Sequence, residues 1–116
     1  MRLEHRDVVT NGIRLHLVDA GPVDGSPIVF LHGFPEFWYG WRSQIPFFAE
    51  AGYRVLVPDQ RGYNLSDKPP GVGSYGIDTL AADIIGLLDG LDLERAAVVG
   101  HDWGAFVAWW LGAQHP

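Results

Sequence analysis

The 116-residue sequence contains no cysteine. This excludes disulfide bridges and thiolate metal sites and suits a cytoplasmic location. There is no excess of positive charge: eight Lys and Arg stand against fourteen Asp and Glu, for a formal net charge of −6. That balance argues against nucleic acid and anionic membrane surfaces as partners. No apolar run is long enough to cross a bilayer. The opening segment, MRLEHRDVVTNG, holds no apolar core of a secretion signal. No repeat, linker or second domain is visible. His5, His16, His32, His101 and His115 are scattered, with no ligand spacing that predicts a metal, and no cofactor is expected. Gly71-Val-Gly-Ser-Tyr-Gly76 spells a dinucleotide-binding glycine pattern. It follows Lys68-Pro-Pro70 and not a strand, so it reads as turn chemistry ahead of a helix.

What is present is globular. Apolar residues make up 47% of the chain and charged residues 19%, enough to bury a core within one domain. Five Trp, six Phe and four Tyr bunch in Phe34 to Phe48 and Trp103 to Trp110. They suit a filled core and an aromatic-walled apolar pocket alike.

The elements follow from local pattern. Asn11-Gly12 between Asp7–Thr10 and Ile13–Val18 predicts a hairpin, whose second strand alternates and is expected to be half exposed. Gly21 to Pro27 is a turn-rich loop. Pro27–Leu31, Tyr53–Pro58 and Ala96–Val99 read as short buried parallel strands. Phe37 to Glu50 predicts a helix broken near Pro46 and ended by Gly52. Tyr75 to Leu91 carries helical spacing, and Gly104 to Gln114 is a further helix. Asp59 to Gly76 is a long loop, a length that is usually functional or unusual. Alternating strands and helices give an α/β fold with a mostly parallel sheet, an N-terminal hairpin and flanking helices. The last helix is apolar on every side, so it belongs inside a larger structure. Either the natural protein continues past residue 116 or another copy covers it.

Three motifs carry chemistry. Gly100-His101-Asp102-Trp103-Gly104 sits where a strand turns into a helix, the context of a nucleophile elbow, with Asp where serine is usual. The alternative is a plain turn with Asp102 as N-cap. Leu31-His-Gly-Phe-Pro-Glu36 follows an apolar strand, where an oxyanion-hole N–H is donated in such folds. Gly33 permits close backbone approach, the Phe34-Pro35 bond can be cis, and His32 reads as a structural hydrogen-bonding residue. Pro58-Asp-Gln-Arg-Gly-Tyr-Asn-Leu-Ser-Asp-Lys-Pro69, taken alone, is a polar surface loop held by Asx turns.

Together, His32–Trp41, Asp59–Tyr63 with Ser66–Pro69, and Val99–Gly104 resemble the N-terminal part of an α/β-hydrolase of the epoxide hydrolase type. The resemblance covers essentially the whole chain. It implies that Asp102 is the nucleophile and that the N–H groups of Phe34 and Trp103 form the oxyanion hole. It places His32, Gly33, Pro35, Trp38 and His101 around a pocket for a small apolar epoxide. Haloalkane dehalogenases usually have Asn at the position of Phe34, and fluoroacetate dehalogenases tend to have Arg at that of Trp103, so epoxide hydrolase fits best. The family's cap tyrosines, base His and acidic partner align with nothing in residues 1–116. The chain is therefore expected to be a single truncated core, inactive or stalled at an alkyl-enzyme. The alternatives are a non-catalytic assembly module and, more weakly, a dehalogenase. The family's sheet order leaves Ala96–Val99 at an edge here, which invites pairing with another chain. A homodimer through residues 96–99 and 104–114 is expected.

Overall fold

The computed structural model describes residues 3–116. Strands β1 (Leu3–Thr10) and β2 (Ile13–Ala20) form the hairpin. Its two-residue turn holds Asn11 and Gly12 at φ 51° and 79°, the left-handed pair that a type I′ turn requires. There follow β3 (Ser26–Leu31), a 3₁₀ turn (Trp38–Trp41), α1 (Gln44–Glu50) and β4 (Tyr53–Pro58). A second 3₁₀ turn (Val72–Tyr75), α2 (Ile77–Gly90), β5 (Ala97–Gly100) and α3 (Trp103–Gln114) complete the chain.

The five strands make one mixed sheet in the order β1-β2-β4-β3-β5. β4, β3 and β5 run parallel, while the hairpin joins β4 antiparallel through β2. Side chains alternate across the sheet. Leu17, Val29, Leu31 and Leu56 meet α2 and α3 through Ile84, Leu87, Val107 and Leu111. Val18, Ile28, Phe30, Val55 and Val57 meet α1 through Ile45 and Ala49. The sheet is thus covered on both faces.

Three expectations change. β2 is not half exposed: within it only Arg14 is exposed, because the strand has a neighbour on each side and core clusters on both faces. β5, read from its residues as a buried strand, is partly exposed, because it is the sheet edge that the resemblance's strand order implied, with β3 on one side only. The predicted helix over 37–50 is two pieces, divided at Arg42 and Ser43 rather than at Pro46. Pro46 sits in the first turn of α1, where its missing N–H has no helical acceptor to lose. Among the described residues, no helix is long and apolar enough to cross a membrane.

Candidate active site

Strand register builds the site. Leu31 is paired with Gly100, and the His101 N–H donates to the Leu31 carbonyl at 3.1 Å. The loop after β3 and the turn after β5 therefore emerge side by side. That turn is tight. A Cβ on Gly100 would lie 2.3 Å from the Gly104 carbonyl oxygen, and one on Gly104 would lie 2.2 Å from that of Leu31. A Cβ on Gly33 would lie 2.5 Å from the Asp102 Cβ. All three positions need glycine because other backbone or side-chain atoms already fill the space.

Asp102 sits at the apex with φ 57° and ψ −122°. A non-glycine residue at positive φ costs about 1–3 kcal/mol and persists only when its surroundings hold it there. Asp102 occupies the N-cap position of α3 but makes no side-chain capping bond. Its carboxylate accepts instead from the Phe34 N–H, which reaches Oδ2 at 3.2 Å, and it stands next to the Trp103 N–H at the start of α3. The Trp103 and Phe34 N–H groups hold Asp102 below the usual carboxylate range. The positive end of α3 acts in the same direction. The turn thus presents an exposed carboxylate, held below its ordinary range by the adjacent backbone N–H groups.

His32 is buried, and burial pushes its imidazole below its ordinary value. Its Nδ1 lies 3.0 Å from the Gly33 carbonyl and its Nε2 accepts the Gln60 N–H at 3.0 Å. Those partners specify the neutral Nδ1–H tautomer. Its role is structural.

A cavity of about 450 Å³ opens beside the elbow, lined by His32, Phe34, Gln60, Arg61, Gly62, Tyr63, Tyr75, Leu80, Trp103 and Val107. Tyr63 packs edge-on against His32 at 4.7 Å. Burial and then the Asp102 charge push the Tyr63 phenol up. Of the pocket residues expected from the sequence, His32 is among this lining, and Gly33 lies against Asp102. Pro35 follows Phe34 through a cis peptide bond. Trp38 and His101, like Gly33 and Pro35, are not among the residues that line this cavity. Trp38 packs with the α1-side core and meets His5 edge-on at 5.4 Å. His101 is exposed, its Nδ1 3.3 Å from Glu36 Oε1. Side-chain direction at a turn cannot be read from neighbourhood in sequence.

The 58–69 segment also differs from a surface loop. Asp59, Gln60, Arg61 and Ser66 are buried. Arg61 forms a two-pronged ion pair with buried Asp83 at 2.9 Å. Tyr63 and Tyr75 were not among the expected pocket residues; the unusual length of the 59–76 loop was their only signal. Among the described residues, no three His, Asp or Glu side chains gather as a metal site.

The sequence profile of the alpha/beta hydrolase fold matches residues 26–116. This chain belongs to that family. Within it, the chain is 62% identical over 109 residues to the AB hydrolase superfamily protein YfhM of Bacillus subtilis, covering 94% of this chain and 38% of that protein. It is 57% identical over 105 residues to epoxide hydrolase A of Mycobacterium tuberculosis, covering 90% of this chain and 32% of that one. The crystal structure of epoxide hydrolase VrEH1 from Vigna radiata superimposes with a TM-score of 0.94 at 45% identity, over 98% of this chain and 35% of the other. The chain spans about a third of the length of these curated relatives.

Proposed function

We propose that this chain carries the nucleophile half of an epoxide hydrolase. The observation that supports this best is Asp102, ionised at the apex of the elbow on the Phe34 and Trp103 N–H groups. A carboxylate oxygen attacks one epoxide carbon and forms a C–O bond. The ring C–O bond breaks, its electron pair passes to the epoxide oxygen, and that oxygen takes up a proton. The product is an ester on Asp102. Water then attacks the ester carbonyl, and the Phe34 and Trp103 N–H groups receive the negative charge that develops on its oxygen. Loss of the Asp102 oxygen from the tetrahedral carbon releases a diol. Phe34 offers a leaving halide no side-chain N–H, which favours an epoxide over a haloalkane.

The second step needs a base. Asp102 accepts no hydrogen bond from a histidine among the described residues. The resemblance assigns the base and the epoxide-polarising tyrosines to segments outside residues 1–116. The chain by itself is therefore expected to react once and stall. Incubated with styrene oxide, it should consume one equivalent of epoxide per protein in a burst with no continuing turnover. Steady turnover, or no consumption, would count against this reading.

A second reading, self-association, draws on the bare face of α3. Phe106 and Trp109 are 62% and 80% exposed beside the open edge of β5. Two copies joined through β5 and α3 would cover that surface.

A further inference from the structure

We infer that Asp59 and Gln60 are positioning residues, a clamp that grips the loop from His32 to Trp38 at both ends and thereby aims the Phe34 N–H at Asp102. This rests on the reading of that N–H as an oxyanion donor. At the first end, the Gln60 side-chain amide donates to the His32 carbonyl at 2.7 Å while its backbone N–H donates to the His32 ring. At the second end, Asp59 Oδ1 accepts the Trp38 N–H at 2.9 Å.

The clamp is itself anchored. Asp59 is fully buried. Its Oδ2 lies 2.7 Å from His16 Nδ1 and accepts from the Asn64 side-chain amide at 2.9 Å. Its N–H donates to the His16 carbonyl, and Ser66 bridges the His16 N–H and the Asp59 carbonyl. His16 Nε2 in turn meets Nδ1 of exposed His5 at 2.9 Å. The anchor thus runs through β2 to β1, on the far side of the sheet from β5. The Phe34 side chain is 65% exposed, and within the loop only the Gly33–Glu36 turn braces its backbone, the Glu36 N–H donating to the Gly33 carbonyl at 2.8 Å and Glu36 Oε1 accepting the Gly33 N–H at 3.1 Å. That turn fixes Phe34 relative to its own loop, and the ends of the loop fix the turn relative to Asp102. A buried network with every member satisfied is rigid enough to transmit that constraint, and no buried side-chain polar atom among the described residues lacks a partner.

The test is nuclear magnetic resonance on the whole chain, carrying Gln60→Leu or Asp59→Asn. Amide protons that donate to Asp102 shift as its carboxylate titrates. In the unsubstituted chain both Phe34 and Trp103 amides should report it. In each variant Phe34 is expected to lose most of that shift while Trp103, held by α3, keeps it. The Asp102 titration midpoint should also move up. Retention of the Phe34 shift at an unchanged midpoint overturns the clamp, as does equal loss from both amides. Sheet amides such as Val57 and Leu17 report whether each variant is folded. If Asp59→Asn does not fold, Gln60→Leu, which removes one bond, decides the matter. No epoxide is used, so failure here is separate from failure of the proposed reaction.

Discussion

At the scale of single residues, the site depends on atoms that leave no room. Gly104 faces the Leu31 and His32 carbonyl oxygens, where a Cβ would lie at 2.2 and 2.7 Å. Both are backbone atoms and cannot rotate away. Gly104→Ala is expected to cost about 1–3 kcal/mol through overpacking, read as a lower urea midpoint with unchanged slope. His32 supplies a pH prediction. Burial holds it below its ordinary value near 6.5. Below that value the unfolded chain binds a proton that the folded chain does not. Its contribution to stability is therefore complete above about pH 6.5 and is lost progressively as the pH falls toward the lower folded value. Urea unfolding at a series of pH values from neutral downward should show this decline. His32→Gln should remove that part of the slope, although the variant is less stable throughout.

At the scale of elements, α2 is the main cover of one sheet face. Leu87 and Ile84 are buried in its core cluster. Leu87→Ala is expected to destabilise the chain by about 2–5 kcal/mol, again by urea titration. The identity of the elements was legible because local chemistry specified it. Asn11-Gly12 permits the left-handed turn, and the apolar runs of β3 and β4 have the length and β-branching of buried strands. What was not legible was what lies beside each element. The alternation of β2 suggests a solvent face, yet both its faces are covered and both its edges are paired. β5 reads as buried from its composition, and only the strand order of the resemblance marked it as an edge. The same limit applies at the site. Asp102, Phe34 and Trp103 were readable as a set only through the family resemblance; they meet in the fold because the two motifs that hold them end adjacent parallel strands. The burial of Asp59 and Gln60, the cavity-facing Tyr63 and the outward His101 depend on side-chain directions that spacing does not encode.

At the scale of the whole molecule, an apolar surface adjoins the turn that carries the exposed Asp102 carboxylate. Ile77, Trp103, Phe106, Trp109 and Trp110 line an almost wholly apolar recess on α3 and its neighbour α2. A patch of this character suits a contact surface, the self-association proposed above. If it joins two copies, light scattering on the purified chain should give twice the 12.8 kDa monomer mass. Phe106→Glu with Trp109→Glu should then restore the monomer without lowering the urea midpoint, since both side chains are exposed. A monomer at high concentration would remove the self-association reading and leave the chemistry untouched.

Every step proposed for this chain starts from Asp102 as the nucleophile. The most direct measurement is the intact mass of the chain after incubation with styrene oxide, with Asp102→Asn as control and fragmentation to locate any adduct. One added epoxide mass is expected, carried by the peptide that contains Asp102 and absent from Asp102→Asn. An adduct that persists in Asp102→Asn, or no adduct on a folded chain, would contradict it.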